Sequence, residues 1–170
     1  MTVRPADPTD AEGIARAHTA SWQVAYRGIF PDDYLDGLRW QDRQERWAQV
    51  LTGPSEDRAT LVAVAAGTVI GLASIGPSRD EDLAGSGIHE LYAVYLDPAR
   101  WRQGVGSMLL RAALELAPST APAVTLWVLE ANVRARQFYQ RHGFAPDGGR
   151  KQYDGVGPPV PELRYRRPCG

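Results

Sequence analysis

Residues 90–117 read ELYAVYLDPARWRQGVGSMLLRAALELA, and this stretch decides the fold. Residues 90–96 are rich in aromatic and β-branched side chains, which predicts a short buried strand that Asp97 and Pro98 end. After two glycines, apolar residues recur at steps of three and four, which predicts a one-sided helix that ends at Pro118. The stretch therefore predicts a strand, a glycine loop and a helix N-terminus in succession.

The glycine loop at residues 103–107 is a candidate phosphate-binding site. Gly104 and Gly106 leave their amides unshielded by side chains, and a helix N-terminus adds about half a positive charge. A dinucleotide fingerprint would need a small residue where Leu109 stands, and a Walker loop would need a lysine that this loop does not have. The loop thus binds a phosphate-bearing cofactor, or it is a glycine turn that only redirects the chain.

A second stretch, LWVLEANVRARQFYQRHGF at residues 126–144, again predicts a strand followed by a helix. Asn132 is expected to be the N-cap of this helix, and Gly143 its C′ residue.

Together the two stretches resemble the GNAT superfamily of acyl-CoA-dependent N-acetyltransferases. The pyrophosphate loop of that family reads Gln/Arg-x-x-Gly-x-Gly/Ala, and its next strand and helix carry Asn-x-x-Ala-x-x-Phe-Tyr-x-x-x-Gly-Phe. In the first pattern the glycines match, but the Gln/Arg position falls on Trp101. The second pattern is matched at Asn132, Ala135, Phe138, Tyr139, Gly143 and Phe144.

The residue patterns predict an α/β domain with the order strand, two helices, three strands, helix, strand, helix, two strands, the second helix beginning at Pro31. The resemblance implies a GNAT-type mixed, mostly antiparallel central sheet flanked by helices, with a splayed strand pair at the cofactor site. We expect one domain over residues 1–170. Because many relatives pair through edge strands, the resemblance also allows a homodimer.

The resemblance implies transfer of an acetyl group from acetyl-CoA, as co-substrate, to a primary amine of a small molecule, amino acid or peptide. The amine would attack the thioester directly, and no metal is expected. The alternative function is a GNAT-like module that binds acyl-CoA without transfer, as a sensor or interaction domain.

Charge and composition limit the partners. A net charge of −1 argues against nucleic acid or a membrane surface as partner. The lone Cys169 and the absence of an apolar signal-peptide core in residues 1–10 predict a cytoplasmic protein. Residues 1–97 hold eight arginines and fifteen acids, whereas residues 98–170 hold eleven basic residues and five acids. A basic half suits polyanionic coenzyme A and an acidic half suits a cationic amine, unless both are solvated faces.

The expected chemistry needs a base. A primary amine with a pKa near 10 is mostly protonated at neutral pH, and its deprotonation costs about 4 kcal/mol. The resemblance assigns the base to Glu90, which could otherwise be a solvated residue at a strand edge, or a water chain could lead to a base. His89 is the competing base, but neighbouring strand residues point to opposite faces, so both should not enter one site.

The leaving thiolate needs a proton donor, and the resemblance assigns that role to Tyr139. The alternative for Tyr139 is a core tyrosine with a solvated hydroxyl. Asn132 is expected to cap its helix, bind the pantetheine arm or do both, and Arg134 and Arg136 either reach phosphates or solvate the first helical turn. The resemblance implies twelve cofactor-binding residues, which are Val94, Tyr95, Leu96, Arg102, Gln103, Gly104, Val105, Gly106, Ser107, Asn132, Arg136 and Phe138. The first three would act through their backbone at the oxyanion.

The acceptor site is less defined. Residues 21–35, SWQVAYRGIFPDDYL, resemble the helix-loop-helix that lies over the acceptor pocket in one GNAT subgroup. Trp22 and Tyr26 are one helical turn apart and are the candidate substrate-binding residues, although packing against the sheet is the alternative for Trp22. We expect the acceptor to be selected by the N-terminal helices and by the loops at residues 77–87 and 154–161, where no motif identifies it.

Overall fold

Seven strands form one sheet in the order β1-β2-β3-β4-β5-β7-β6. The computed structural model describes residues 1–53 and 57–169. All neighbouring strands run antiparallel except β4 and β5. This is the mixed, mostly antiparallel sheet that the sequence predicts. The strands are β1 (Thr2–Pro5), β2 (Ala59–Ala65), β3 (Thr68–Pro77), β4 (His89–Leu96), β5 (Ala123–Leu129), β6 (Ala145–Tyr153) and β7 (Val160–Pro168).

Helices cover both faces of the sheet. They are α1 (Ala11–Ala25), α2 (Asp32–Asp36), α3 (Trp40–Thr52), α4 (Val105–Leu114) and α5 (Val133–Arg141). The prediction of one helix after Pro31 is wrong, because α2 ends at Asp36 and the extended backbone of Arg39 (φ −112°, ψ 129°) separates it from α3. Within the described ranges, every helix is too short or too polar to cross a lipid bilayer.

The core forms two layers because alternate residues of a strand point to opposite faces. Leu72 of β3 is fully buried among residues of α1 and α3, such as Ile14 and Trp47. Its neighbour Ala73 packs instead in the larger cluster that contains Leu109 of α4. Burial on both faces explains why β3 is apolar at successive positions.

The parallel strands β4 and β5 separate soon after they begin. Among the described residues, their ladder consists of His89 with Val124 and Glu90 with Thr125. Beyond Glu90, every second residue of β4 directs its N–H and C=O groups into the gap instead of toward a strand partner. The splayed strand pair expected at the cofactor site is therefore present.

A β-bulge in β4 lies next to the point where β4 and β5 separate. Tyr92 is an extra residue opposite the step from Ser74 to Ile75 of β3. A bulge bends its strand and increases the local twist, and bulges are common beside functional sites. The gap between β4 and β5 thus opens toward the loop at residues 97–104 and the start of α4.

Candidate active site

A cavity of about 980 Å³ occupies the gap between β4 and β5 and continues under α1, α5, β6 and β7. It joins the glycine loop to the aromatic residues of α1, so one space contains most of the residues predicted for cofactor, acceptor and catalysis. The predicted site residues that line it are Glu90, Tyr139, Val94, Tyr95, Leu96, Arg102, Gly104, Gly106, Ser107, Asn132, Phe138, Trp22 and Tyr26.

The glycine loop meets the N-terminus of α4 at one end of the cavity. Gly104 is the N-cap of α4 and has a φ of 81°, a backbone conformation that favours glycine. A Cβ on Gly106 would come no closer than 3.6 Å to Phe138, so packing within the protein does not require glycine there. The missing side chain instead leaves the first-turn amides of α4 open to an anion.

Two arginines beside this loop carry uncompensated charge. Among the described residues, neither Arg102 nor Arg134 forms an ion pair, and burial followed by the charge of Arg102 lowers the pKa of Arg134. The guanidinium of Arg134 lies 3.4 Å from the ring centroid of Trp101, whose indole N–H donates to the carbonyl of Leu96 at 3.0 Å. Trp101, at the family's Gln/Arg position, thus supports a neighbouring arginine. We call residues 101–107 with Arg134 the cofactor end.

Three predicted cofactor-binding residues do not line the cavity. Val105 is 1% exposed and packs in the core, and the side-chain amide of Gln103 donates to the carbonyl of Ala99 at 2.9 Å. Arg136 donates to the hydroxyl of Tyr165 and to the carbonyl of Glu130, each at 3.0 Å. These contacts tie α5 to the sheet, so Arg136 is occupied within the fold.

Asn132 has the predicted capping role. Its side-chain oxygen accepts from the amide of Ala135 at 3.1 Å, while Asn132 also lines the cavity. At the other end of α5, Gly143 is the C′ residue and has a φ of 83°. Both helix ends that the sequence predicts are present, and they fix the direction of α5 above the gap.

Tyr139 of α5 is a protonated hydroxyl inside the cavity. Its ring packs between those of Phe138 and Phe144, at centroid distances of 5.3 and 5.9 Å. Burial raises the pKa of Tyr139, and the nearby Tyr95 raises it further. A phenol with a raised pKa keeps its proton at neutral pH, which a proton donor requires.

Glu90 is held by a neighbouring arginine. It is 2% exposed, and its Oε2 accepts from the backbone and side chain of Arg79 at 3.0 and 3.2 Å, while its Oε1 accepts from Arg79 at 2.5 Å. His89, the competing base in the sequence, does not line the cavity, and its Nδ1 lies 3.3 Å from the carbonyl of Gly87. The alternation of strand faces therefore separates the two candidates as expected.

The other end of the cavity has aromatic walls. Trp22 packs against Tyr26 and Phe30 at centroid distances of 4.8 and 5.9 Å, so it lines the cavity and also belongs to a hydrophobic cluster. Burial raises the pKa of Tyr26 well above its ordinary value, with Tyr95 adding to the effect. Tyr153 of β6 completes the wall, 6.5 Å from the Trp22 ring.

Behind this wall lies a buried histidine. The ring of His18 stacks on Tyr95 at 4.1 Å, and its Nδ1 accepts from the indole N–H of Trp47 at 3.2 Å. Its Nε2 is buried without a hydrogen-bond partner among the described residues. Burial lowers the pKa of His18 well below its ordinary value, and the charges of Arg43 and Arg46 act in the same direction.

The cavity contains a second carboxylate that was not predicted from the sequence. Glu162 of β7 has a side chain that is 14% exposed, and its Oε2 lies 3.8 Å from Nζ of Lys151 on β6. Burial raises the pKa of the Glu162 carboxyl, Lys151 opposes the rise, and the charge of Glu90 adds to it. The one available signal was an isolated acid alternating with arginines on the predicted strand that contains residue 162.

Lys151 also lies 4.1 Å from the ring centroid of Trp127 on β5. The acceptor end of the cavity consists of Glu90, Glu162 and the cavity-lining aromatic residues Trp22, Tyr26, Tyr95, Trp127 and Tyr153. In the part of the chain that the structure describes, no group of three or more His, Cys, Asp or Glu residues could hold a metal ion.

The chain matches one protein family and is similar in sequence to known N-acetyltransferases. Residues 19–144 match the model of the acetyltransferase (GNAT) family. The chain is 37% identical over 136 residues, covering 78% of it and 73% of the relative, to the uncharacterized N-acetyltransferase YuaI of Bacillus subtilis. It is 30% identical over 172 residues, covering 98% of it and 92% of the relative, to a probable N-acetyltransferase of Mycobacterium tuberculosis.

Among solved structures, the fold resembles that of the PaiA N-acetyltransferase from Thermoplasma acidophilum in complex with coenzyme A. The TM-score is 0.73 at 20% identity, and the match covers 98% of each chain.

Proposed function

Since the chain belongs to the GNAT family of acyl-CoA-dependent N-acetyltransferases, we propose that it transfers the acetyl group of acetyl-CoA directly to the primary amine of a small molecule, amino acid or peptide. One observation carries this proposal. A single cavity contains an anion-binding cofactor end, a protonated tyrosine and an acceptor end with two carboxylates. Each of these parts matches one requirement of acyl transfer to an ammonium ion.

In this proposal the phosphates of coenzyme A lie on the amides at the start of α4, with Arg102 and Arg134 beside them. The Thermoplasma relative of similar fold binds coenzyme A, which supports the same ligand here. The thioester carbonyl then lies in the gap between β4 and β5, where the N–H groups that residues 94–96 direct into the gap donate hydrogen bonds to its oxygen as negative charge develops there. Tyr139 donates a proton to the departing thiolate.

The acceptor end supports an acceptor with an apolar body next to its amine. Aromatic faces bind both apolar groups and cations, and the ammonium of Lys151 already lies over Trp127. Glu90, to which the resemblance assigns the base, and Glu162 are the two carboxylates of this cavity that can take up the proton of the ammonium. A cytoplasmic location and a single domain over residues 1–170 belong to the same proposal.

The test is thiol release from acetyl-CoA across a panel of amines, amino acids, peptides and aminoglycosides, with the Tyr139→Phe variant alongside. We expect an amine-dependent signal, which Tyr139→Phe lowers about 100-fold in kcat because the general acid is lost. Calorimetry should give the same acetyl-CoA affinity for both proteins. Unchanged turnover in the variant would remove Tyr139 from the mechanism.

The same panel separates this function from that of a binding module. A module that only senses acyl-CoA would bind acetyl-CoA in the calorimeter and give no product with any acceptor. Absence of binding as well would overturn the assignment of the cofactor.

A further inference from the structure

We propose that Glu162, and not Glu90, is the base that takes the proton from the acceptor's ammonium group, while Glu90 and Arg79 position the loop that borders the acceptor end. This inference rests on the proposed function and identifies one of its catalytic residues. It follows from the different surroundings of the two carboxylates.

The oxygens of Glu90 are already occupied. Both accept from the guanidinium of Arg79, and Oε2 also accepts from the Arg79 backbone amide. A carboxylate has about four acceptor positions, and here three hydrogen bonds come from one residue. Arg79 lies in the loop that follows β3, so the pair fastens this loop to the start of β4. Such a pair is suited to holding geometry, because a proton delivered to Glu90 would have to disrupt it.

The oxygens of Glu162 are more available. Among the described residues its ionic partner is Lys151, and their separation of 3.8 Å is longer than a hydrogen bond. The carboxyl lies in the cavity with little exposure to solvent, so an incoming ammonium would find a carboxylate that accepts no hydrogen bond from a described side chain.

The position of Lys151 shows that a primary ammonium fits beside Glu162. Its Nζ lies between Oε2 of Glu162 at 3.8 Å and the ring of Trp127 at 4.1 Å. A carboxylate on one side and an aromatic face on the other form a site for a cation. The ammonium of the acceptor can use the same two surfaces from the cavity side.

The charged and titratable groups around Glu162 favour this role. Burial and the charge of Glu90 on β4 raise the pKa of the Glu162 carboxyl, and Lys151 on β6 moderates the rise. The hydroxyls of Tyr26 on α1, Tyr95 on β4 and Tyr153 on β6 also feel its charge, and burial keeps them neutral. A carboxyl with a raised pKa is closer to the working pH and accepts a proton more readily than an ordinary one.

The proton and bond changes balance as follows. The ammonium gives one proton to the Glu162 carboxylate, and the neutral nitrogen attacks the thioester carbon. As the C–N bond forms and the C–S bond breaks, Tyr139 protonates the thiolate, and the second proton lost by the nitrogen restores Tyr139 through water. Glu162 then releases its proton to solvent, so that the net products are the amide, the free thiol and one proton.

The test measures kcat/KM for the best acceptor of the panel between pH 5 and pH 10, together with acetyl-CoA affinity by calorimetry. The proteins are the wild type, Glu162→Gln, Glu90→Gln and Glu130→Gln. Glu130 follows β5, is 40% exposed and pairs with Arg150, so its variant is a matched carboxylate-to-amide control and should behave as wild type.

For Glu162→Gln we expect kcat/KM at pH 7 to fall about 100-fold or more, with the acetyl-CoA affinity unchanged. The acid limb of the pH profile should disappear, and activity should recover toward pH 10, where about half of the acceptor amine is already neutral. Glu90→Gln should keep the acid limb, even where it lowers the rate or the melting temperature through the loosened loop.

Two results would overturn the inference. Full activity of Glu162→Gln at pH 7, or loss of the acid limb in Glu90→Gln instead, would return the base to Glu90. If the wild type binds acetyl-CoA but acetylates no amine, the proposed function fails and the role of Glu162 fails with it. That outcome is distinguishable because it is seen in the wild type before any variant is compared.

Discussion

The two ends of the cavity are built in different ways. The cofactor end comes from one continuous stretch, residues 101–107, and a single arginine of the next helix, and it presents backbone amides and arginines without ionic partners among the described residues. The acceptor end is assembled from side chains of α1, β4, β5, β6 and β7. A site made of backbone needs only a local conformation, whereas a site made of distant side chains depends on the order of the strands in the sheet.

The charges differ in the same way. At the acceptor end each carboxylate has a cation beside it, Arg79 for Glu90 and Lys151 for Glu162. The loop after β3 is fastened further, since Arg164 of β7 pairs with Asp80 and Asp82 at 3.2 and 2.8 Å. Compensated charge holds the acceptor end together, while the arginines at the cofactor end have no ionic partner among the described residues and, in the proposed function, meet the phosphates of coenzyme A.

The largest effect is expected where this compensation is broken. The Arg79→Met variant leaves Glu90, which is 2% exposed, with one backbone donor and an unpaired charge. We expect the free energy of unfolding to fall by about 2 kcal/mol, below the full value for a buried pair because the Arg79 side chain is 64% exposed. Denaturant titration measures the change.

Two further variants make this comparison sharper. Arg79→Met combined with Glu90→Gln should recover most of the loss, because the buried charge is then gone. Arg150→Met removes an arginine of similar exposure from an exposed pair with Glu130 and should cost no more than about 0.5 kcal/mol. If Arg79→Met were as mild as Arg150→Met, the pair would not hold the acceptor end.

At the cofactor end, Gly106→Ala should separate stability from binding. Alanine favours a helix over glycine by about 0.5–1 kcal/mol, and its Cβ would meet Phe138 at an ordinary 3.6 Å, so thermal stability should rise slightly. Acetyl-CoA affinity should fall by no more than about threefold, because the new methyl group borders the amides of the first helical turn although the family pattern accepts alanine at this position. Calorimetry and thermal melting report the two effects independently.

Met108→Ala is the control for this variant. Met108 is exposed and lies on the same helix, and its truncation should leave acetyl-CoA affinity unchanged. Equal affinities of Gly106→Ala and wild type would mean that a methyl group at this position does not reach the ligand.

The contrast between a site made of local backbone and a site made of distant side chains also explains what could be predicted from the sequence. The strands and most helices follow from periodicity and end signals, and the glycine loop follows from local chemistry, as do the cap at Asn132 and the C′ residue Gly143. The resemblance assigns Arg136 to the cofactor, whereas the arginine of the first turn of α5 that lines the cavity is Arg134. A rotation of about 200° separates two residues that are two positions apart on a helix, so one of them faces Tyr165.

Glu162 could not be found in this way. Alternation along β7 predicts that Glu162 and Arg164 share a face, but it does not say what covers that face. Only the strand order places β7 between β5 and β6, which brings Glu162 opposite Leu129 and Lys151 and under the aromatic residues of α1. A break in the second helix at Gly37 was likewise hidden, since one glycine costs a helix only about 1 kcal/mol.

The smallest effect concerns the wall of the acceptor end. His18 stacks on Tyr95, and burial followed by the charges of Arg43 and Arg46 lowers its pKa in the folded protein. The neutral histidine therefore contributes its full stability above the unfolded pKa of about 6.5. This contribution is lost as the pH falls below that value, because the unfolded chain then binds a proton that the folded chain does not. When the pH is lowered from 6.5 to 5.5, we expect the free energy of unfolding, measured by denaturant titration, to fall by about 1 kcal/mol more in the wild type than in His18→Gln. Parallel curves for the two proteins would show that His18 is protonated as easily in the folded chain, and the pH sensitivity of the fold would then have to come from another part of the molecule.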